Sequence, residues 1–259
     1  MRKISIVIPV YNEEALLPQV LPRLFALETP GWEKEWIVVD DHSTDKSPEI
    51  LKALVARFDF QLIEQPQNQG KGAAVARGIQ SCSGEAILIQ DADFEYDPRD
   101  IPSLLQPLAD NRADIVFGSR FKKSSLQVHR TYHYLVNRFL TILSNLFSGM
   151  YLTDMETCYK LFPADLMKSM NLRSKRFGIE VELTAYVAKT SARVVEVPIN
   201  YYPRTQLQGK KINWKDGVAA LFHLFRFNFW VSLDDAYSGL PPRYRPARSR
   251  LVEAPAEAS

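Results

Sequence analysis

The chain is poor in the residues that build metal clusters and disulfide frameworks: two cysteines and four histidines among 259 residues. Cys82 and Cys158 have no ligand-like spacing and read as reduced structural thiols of a cytoplasmic protein. His129 and His133 stand four apart, but no acid or cysteine accompanies them. No apolar run reaches the ~18 residues of a membrane span. The N-terminus passes directly into the strand-like "KISIVIPV", so no signal peptide is expected. A net charge of +2 makes no case for nucleic acid, and there is no internal repeat. What is present is ordinary for a folded protein, 46% hydrophobic and 24% charged residues, at a length for one large domain or two small ones.

Short apolar runs alternate with helical patterns through the first half. "ISIVI" (4–8), "WIVV" (36–39), "FQLI" (60–63), "AILI" (86–89) and "DIVFG" (114–118) suit strands buried on both faces of a parallel sheet. Helical stretches fall near 47–57, 71–82 and 100–109. The stretch 14–27 has helical spacing but contains Pro18 and Pro22, so a late start or a kink is expected. This alternation predicts an open α/β sheet with a ligand site beyond the carboxyl ends of its strands. In the second half, helices are expected at 133–147, 180–189 and 213–231, and a strand at 192–199. "TDMETCYKLFP" reads as a loop, and the Pro-, Arg-, Ala- and Ser-rich end as a flexible tail.

Polar clusters fall where the strands end. "PVYNEE" (9–14), "DDHSTD" (40–45), "NQGKGAA" (68–74) and "DADFE" (91–95) each follow a run, and in a parallel sheet all four share one edge. Singly each has a plain reading as turn or cap chemistry. Lys71 is followed by Gly72, not by the Ser or Thr of a P-loop. Together they supply backbone donors, a cation and several acids, the requirements of a nucleotide with its diphosphate and metal. Alternation places Asp91, Asp93 and Glu95 on one side of an extended backbone, where like charges repel. A positive group must offset them, or some must take up protons.

"SIVIPVYNEE", "IVVDDHSTDKS", "NQGKGAAVARGI" and "DADFEYDP", with "FGSRF" and "DMETCYKLF" further on, resemble family 2 glycosyltransferases, close to the polyprenyl-phosphate hexose synthases, from about residue 3 to 230. The resemblance implies a GT-A fold: a Rossmann-like, mostly parallel sheet flanked by helices, in a single domain over 1–231. The nucleotide-sugar half would be 3–119, the half with acceptor-side helices 120–231, and the tail 232–259. It implies inverting transfer of a hexose from a nucleotide diphosphate sugar (UDP-glucose-like or GDP-mannose) to a polyprenyl phosphate. Pro9, Tyr11, Glu13, Asp41, Gly70, Lys71 and Ala92 would line the nucleotide site, Asp41 touching base or ribose. Asp91 and Asp93 would be a DxD pair holding Mg²⁺ or Mn²⁺. Glu95, where mannose synthases often carry Gln, would be an extra ligand.

For the acceptor, two stretches are free of acids: "RFKKSSLQVHRTYHYLVNR" (120–138) and "RTQLQGKKINWK" (204–215). They are either solvated surface or a site for an anion. Arg120, Arg204, Lys210 and Lys211 are the phosphate candidates. By motif, His133 and Asn137 fall where mannose synthases carry a phosphate-binding Arg and Ser. A phosphate monoester, with a second pKa of about 6, needs no general base. A hydroxyl acceptor would need one, and Asp154 or Glu156 then joins Asp91, Asp93 and Arg120 in the catalytic set; alternatively the two acids hold Lys160 or the acceptor loop. "GVAALFHLFRFNFW" (217–230) would lie in a membrane interface or pack on the core. The chain would then be cytoplasmic and peripheral at the inner membrane face, or borrow a membrane-anchored partner protein. The alternatives are a saccharide or other hydroxyl acceptor, or a nucleotide-sugar-binding protein without catalysis. DxD phosphatases and sugar-nucleotide pyrophosphorylases fit poorly, because the first strand ends in "PVYNEE" rather than in a nucleophilic Asp or a Gly-rich loop.

Overall fold

The computed structural model describes residues 1–122, 131–176, 178–204 and 214–246, and the side chains of these except at 131–133 and 214–216. The expected strands form as β1 (Arg2–Val10), β2 (Trp32–Asp40), β3 (Gln61–Glu64), β4 (Ala86–Ile89), β5 (Ile115–Ser119) and β7 (Val194–Pro198). A further strand, β6 (Lys160–Pro163), lies inside the stretch read as a loop. All seven join one sheet in the order β3-β2-β1-β4-β6-β5-β7. β1 pairs in parallel with β2, from Arg2↔Trp32 to Val10↔Asp40, and with β4. β6 runs antiparallel to both β4 and β5, and β5 pairs in parallel with β7. Two reversals cancel, so β5 and β7 point the same way as β1–β4. Their carboxyl ends reach the same edge as the four sequence motifs.

The helices are α1 (Leu17–Phe25), α2 (Ser47–Val55), α3 (Lys71–Ser81), α4 (Ile101–Ala109), α5 (Thr131–Ser148), α6 (Ala164–Lys168), α7 (Ile179–Val187), α8 (Trp214–Phe225) and α9 (Leu233–Ala236). α1 does start late: Pro18 sits in its first turn, where no amide hydrogen is needed, and Pro22 is carried inside. α8 runs on into a π-helical turn, Arg226–Trp230. Every residue of α7 is buried, Glu180 and Glu182 included. Glu182 is tolerated there because its carboxylate accepts from the amides of Arg173 (2.7 Å) and Ser174 (2.8 Å).

The expected tail is packed through residue 246. Ser232 and Asp235 form a capping box on α9, and Tyr237, Leu240 and Tyr244 are buried. Backbone bonds from Asn171 to Ala236 and from Ser191 to Tyr244 tie the segment to the domain. Residues 247–259 lie outside the described residues.

α3 begins at Gly70, whose φ of +96° favours glycine, and it abuts the 173–176 segment so closely that a Cβ on Gly70 would collide with the Lys175 carbonyl. Gly31 has a similar φ of +82° with nothing within 4 Å of a Cβ. Gly31→Ala should cost only backbone strain, about 1–2 kcal/mol. Gly70→Ala should cost about 1–3 kcal/mol more through the collision. Thermal denaturation of the two variants checks this; equal losses of Tm would show that the close approach is absent.

Candidate active site

The first two loops are stitched together. Asn12, in the left-handed region at φ 50°, donates its amide to Ser43 Oγ (2.9 Å), and Thr44 donates its amide to Asn12 Oδ1 (2.8 Å). Glu13 donates its amide to Ser47 Oγ (2.9 Å). These bonds follow Pro9, at the end of β1, and hold Tyr11 at the surface and Glu13 toward the sheet edge.

Asp41 is buried and braces the third loop. Its Oδ1 accepts from Gln65 Nε2 (2.6 Å) and the Gln69 amide (2.8 Å), and its Oδ2 from the Gly70 amide (2.6 Å). Both oxygens therefore serve the protein's own loop, and Asp41 shapes the edge where a nucleotide would lie.

Lys71, in the first turn of α3, places its ammonium 2.8 Å from Asp91 Oδ1 and 2.8 Å from Glu180 Oε1. Burial works against this charge, but Asp91, with a smaller contribution from Glu180, holds it well above the ordinary lysine value. Asp93 and Ala92 are buried beside it. Burial, reinforced by the charge of Asp91, pushes the Asp93 carboxyl up to about 7, against the opposing pull of Arg204.

Arg204 lies just past β7 and reaches back to the ends of β1 and β4. Its Nη2 is 2.7 Å from Asp93 Oδ2, its Nη1 3.4 Å from Glu13 Oε2, and its backbone amide donates to Glu95 Oε1 at 2.8 Å. Tyr201 donates its hydroxyl to Glu95 Oε2 (2.8 Å). The positive groups demanded by the acids are thus Lys71 for Asp91 and Arg204 for Asp93, Glu95 and Glu13.

Asp91 and Asp93 suit a hard divalent ion: oxygen ligands at the sheet edge, one of them pushed toward its protonated form by burial and by the Asp91 charge, with a guanidinium standing where further charge is needed. Glu95, the expected extra ligand, accepts from the Tyr201 hydroxyl and the Arg204 amide on its two oxygens. Among the described residues no three His, Cys, Asp or Glu side chains group so as to hold a metal by themselves. Diphosphate and water would have to complete the shell.

Beneath the edge, Arg120 and Asp154 form a two-pronged pair, Nε–Oδ2 2.7 Å and Nη2–Oδ1 2.7 Å, joined by the Arg120 amide at 2.9 Å. Arg120 also lies over the Tyr201 ring, 4.9 Å from its centroid. Neither partner is presented as an open phosphate site or an open base. Glu156 differs. It is partly exposed as a residue, yet its Oε1 is buried and has no hydrogen-bond partner among the described residues. Burial, with the nearby Glu180 charge, raises its carboxyl to about 7. Lys160, its neighbour in the network, donates to the carbonyls of Met155 (2.6 Å) and Thr157 (2.9 Å), and burial pulls it down to about 8.

Asn137 is half-buried on α5. His133 as a side chain, and Lys210 and Lys211 entirely, lie outside the described residues. Sequence reasoning missed Glu180 and Tyr201. The signal for Glu180 was available: an acid inside a helix apolar on all sides is buried and must have a partner. Tyr201 carried no such mark.

Residues 5–170 match the model of glycosyl transferase family 2. The chain belongs to this family, and its sheet and flanking helices are the GT-A fold expected of it. It is 27% identical over 232 residues to a dolichol-phosphate mannosyltransferase of Pyrococcus furiosus, covering 88% of this chain and 64% of that protein. A dolichyl-phosphate beta-glucosyltransferase of Trichomonas vaginalis is 27% identical over 255 residues, covering 89% of this chain and 76% of the relative. In fold, the chain is similar to glucosyl-3-phosphoglycerate synthase from Mycobacterium tuberculosis in complex with Mn²⁺, UDP-glucose and glycerol 3-phosphate. That match has a TM-score of 0.65 at 20% identity, over 88% of this chain and 80% of that one.

Two stability measurements follow from the buried charges. Arg120→Ala strands Asp154 without its partner and should cost about 3–5 kcal/mol in urea unfolding; a loss below 1 kcal/mol would mean the pair is not buried as described. Glu156 has a folded-state pKa raised from 4.5 to about 7, so its contribution is fully present below pH 4.5 and is lost as pH rises through 7. Glu156→Gln should therefore be more stable than wild type at pH 8, on the order of 2–3 kcal/mol, and show no such gain at pH 5. A gain independent of pH would remove Glu156 from the titrating set.

Proposed function

We propose that the protein transfers a hexose, with inversion, from a nucleotide diphosphate sugar to a polyprenyl phosphate, with Mg²⁺ or Mn²⁺ bound at Asp91 and Asp93. The observation that carries this reading is the pairing of each DxD acid with its own cation, Lys71 on Asp91 and Arg204 on Asp93, at the edge where β1, β4 and β7 deliver their ends. A bound divalent ion supplies Lewis-acid stabilisation of the charge that grows on the departing diphosphate. The chain's own residues do the rest. The loop braced by Asp41 and the start of α3 offer backbone amides and Lys71 to the nucleotide. Pro9, Tyr11 and Glu13 wall the base side, and Ala92 keeps the edge close to the ribose.

A divalent ion at Asp93 would compete with Arg204 for the negative charge of that carboxylate. With the ion bound, less of the Arg204 charge would be needed there, and it would be available to an anionic acceptor. The acceptor's phosphate oxygen forms a bond to the anomeric carbon as the bond from that carbon to the diphosphate oxygen breaks. A phosphate dianion, favoured above a second pKa of about 6, brings no proton that must be removed. The binding of Asp154 by Arg120 supports a reaction without a base there. The names of the two dolichyl-phosphate relatives, which differ in sugar, support a lipid-phosphate acceptor and leave donor choice to UDP-glucose-like or GDP-mannose donors. On this reading the protein works at the inner face of a membrane, itself peripheral or held by a membrane-anchored partner protein. Lys210 and Lys211 would add to the acceptor field.

A second reading, transfer to a hydroxyl, has one observation in its favour. Glu156, with an unpartnered buried oxygen and a carboxyl near neutrality, has the properties of a general base.

A thermal-shift panel of UDP, GDP, CDP and dTDP with Mn²⁺ identifies the base, because ligand binding raises stability by mass action. Asp93→Asn should keep the fold and lose both turnover and Mn²⁺-dependent nucleotide binding; full activity in chelator would end the metal role. Arg204→Ala should slow transfer to a short-chain polyprenyl phosphate by one to a few orders of magnitude, on the scale of about 2–4 kcal/mol for a charge stabiliser, and slow donor hydrolysis much less. If Arg204→Ala is harmless while Glu156→Gln abolishes transfer to free sugars, the hydroxyl reading replaces the phosphate one.

A further inference from the structure

Two helices of this chain are built inside out. In α5, from residue 134 onward, the exposed positions are Leu135, Phe139, Ile142 and Leu146, spaced four, three and four residues apart. In α8 and the π turn after it, from residue 217, the exposed positions are Val218, Ala219, Phe222, Phe225, Phe229 and Trp230. Val218, Phe222, Phe225 and Phe229 repeat the same four-three-four spacing. None of these ten exposed positions is polar, although a helix facing water carries its polar residues there. The inner faces are satisfied separately, by Leu140, Thr141 and Ser144 on α5 and by Leu224 and Phe227 on the other element, all buried. The two elements meet through Phe147, whose ring lies 4.9 Å from that of Phe225 and 5.1 Å from that of Phe229. The stripes therefore adjoin. Trp230 is 68% exposed, and Tyr151, just past α5, is 92% exposed.

Charge decides what covers this surface. Apart from Arg120 and Arg204, which are paired with acids, the stretches that contain both helices and lead into them, 121–153 and 205–233, hold eight Lys and Arg residues and one acid, Asp216. The whole chain has 32 Lys and Arg against 30 Asp and Glu, so the rest of the molecule is net negative. A second copy docking through the same face would bring two positive fields together. An anionic bilayer surface meets both demands: its headgroups attract the cations, and its interfacial zone takes up Phe, Leu and Trp side chains. No helix among the described residues is long and apolar enough to cross a membrane, so the elements would lie on the bilayer rather than span it.

We propose that the outward stripes of α5 and of α8 with its π turn form one docking surface for an anionic lipid bilayer. This rests on the lipid-phosphate reading for its purpose but not for its physics. Docking seats the sheet edge that carries Arg204 beside the plane in which a polyprenyl phosphate headgroup lies.

The test uses the full chain and extruded vesicles of phosphatidylcholine alone or with one-third phosphatidylglycerol. Flotation should recover the protein with the anionic vesicles, at least tenfold less with the neutral ones, and less again in 0.5 M NaCl. The double variant Phe139→Glu/Phe222→Glu alters exposed positions only, so it should keep the wild-type Tm while vesicle recovery falls at least tenfold. Its transfer to a water-soluble short-chain prenyl phosphate should be unchanged. Failure of the wild type to float with anionic vesicles, or equal flotation of wild type and variant, overturns the proposal. A concentration-dependent dimer in light scattering that the variant abolishes, without vesicle binding, assigns the face to self-association and also overturns it. Vesicle binding without transfer to any prenyl phosphate would leave the surface in place and refute the acceptor reading; transfer to the short-chain acceptor without vesicle binding would do the reverse.

Discussion

Four carboxylates crowded at one sheet edge can coexist only if positive charge is built in among them, and the guanidinium of Arg204 is the piece on which that balance turns. It touches Glu13 from the end of β1 and Asp93 from beyond β4, while its own amide holds Glu95. One residue from the far side of the sheet thereby closes the edge electrostatically. A guanidinium suits this position because its several donors reach different carboxylates from one plane, which a lysine ammonium on a flexible stem would do less well. The arrangement is also provisional. Burial and the neighbouring Asp91 charge outweigh the one guanidinium and push the Asp93 carboxyl up to about 7.

The layer below follows the same rule with less slack. Lys71 is shared between Asp91 and Glu180, Arg120 is matched to Asp154, and Glu182 is held by two amides. Such buried pairs contribute little net stability when intact and cost much when one partner is removed. Their service here is geometric. They fix the turn after β5 against the loop that carries Asp154, and the start of α7 against the segment that carries Asp91. Glu156 is the exception, an acid whose inner oxygen has no hydrogen-bond partner among the described residues.

The first half of the chain was legible in the sequence because its signals are local. An apolar run followed at once by a polar motif gives a strand and its active end without knowledge of the rest of the chain. β6 was not legible: four residues beginning with Lys and ending with Pro look like a loop until β4 and β5 bury them on both sides. Arg204 was expected at the acceptor. Its place among the donor acids depends on β7 pairing with β5, a contact between distant segments that spacing does not encode. The stretch 232–246 was hidden by composition, since Pro and Arg outweigh the few aromatic residues, Tyr237 and Tyr244, that anchor it. The burial of Asp41 was missed for a similar reason. A polar loop motif does not reveal whether its acid faces a ligand or its own backbone.

Among the described strands, β6 is the one that runs against its neighbours, and it divides the sheet into a β1–β4 block and a β5–β7 block joined by short antiparallel seams. Segments hung on β5 and β7 can lengthen, shorten or change charge without disturbing the hydrogen-bond register of β1 with β2 and β4. Descent from a common ancestor can then rewrite the β5–β7 side of such a fold many times while the β1–β4 side is inherited almost whole. The seam sets one condition on that freedom: whatever replaces the loop after β7 must still return a cation to Asp93.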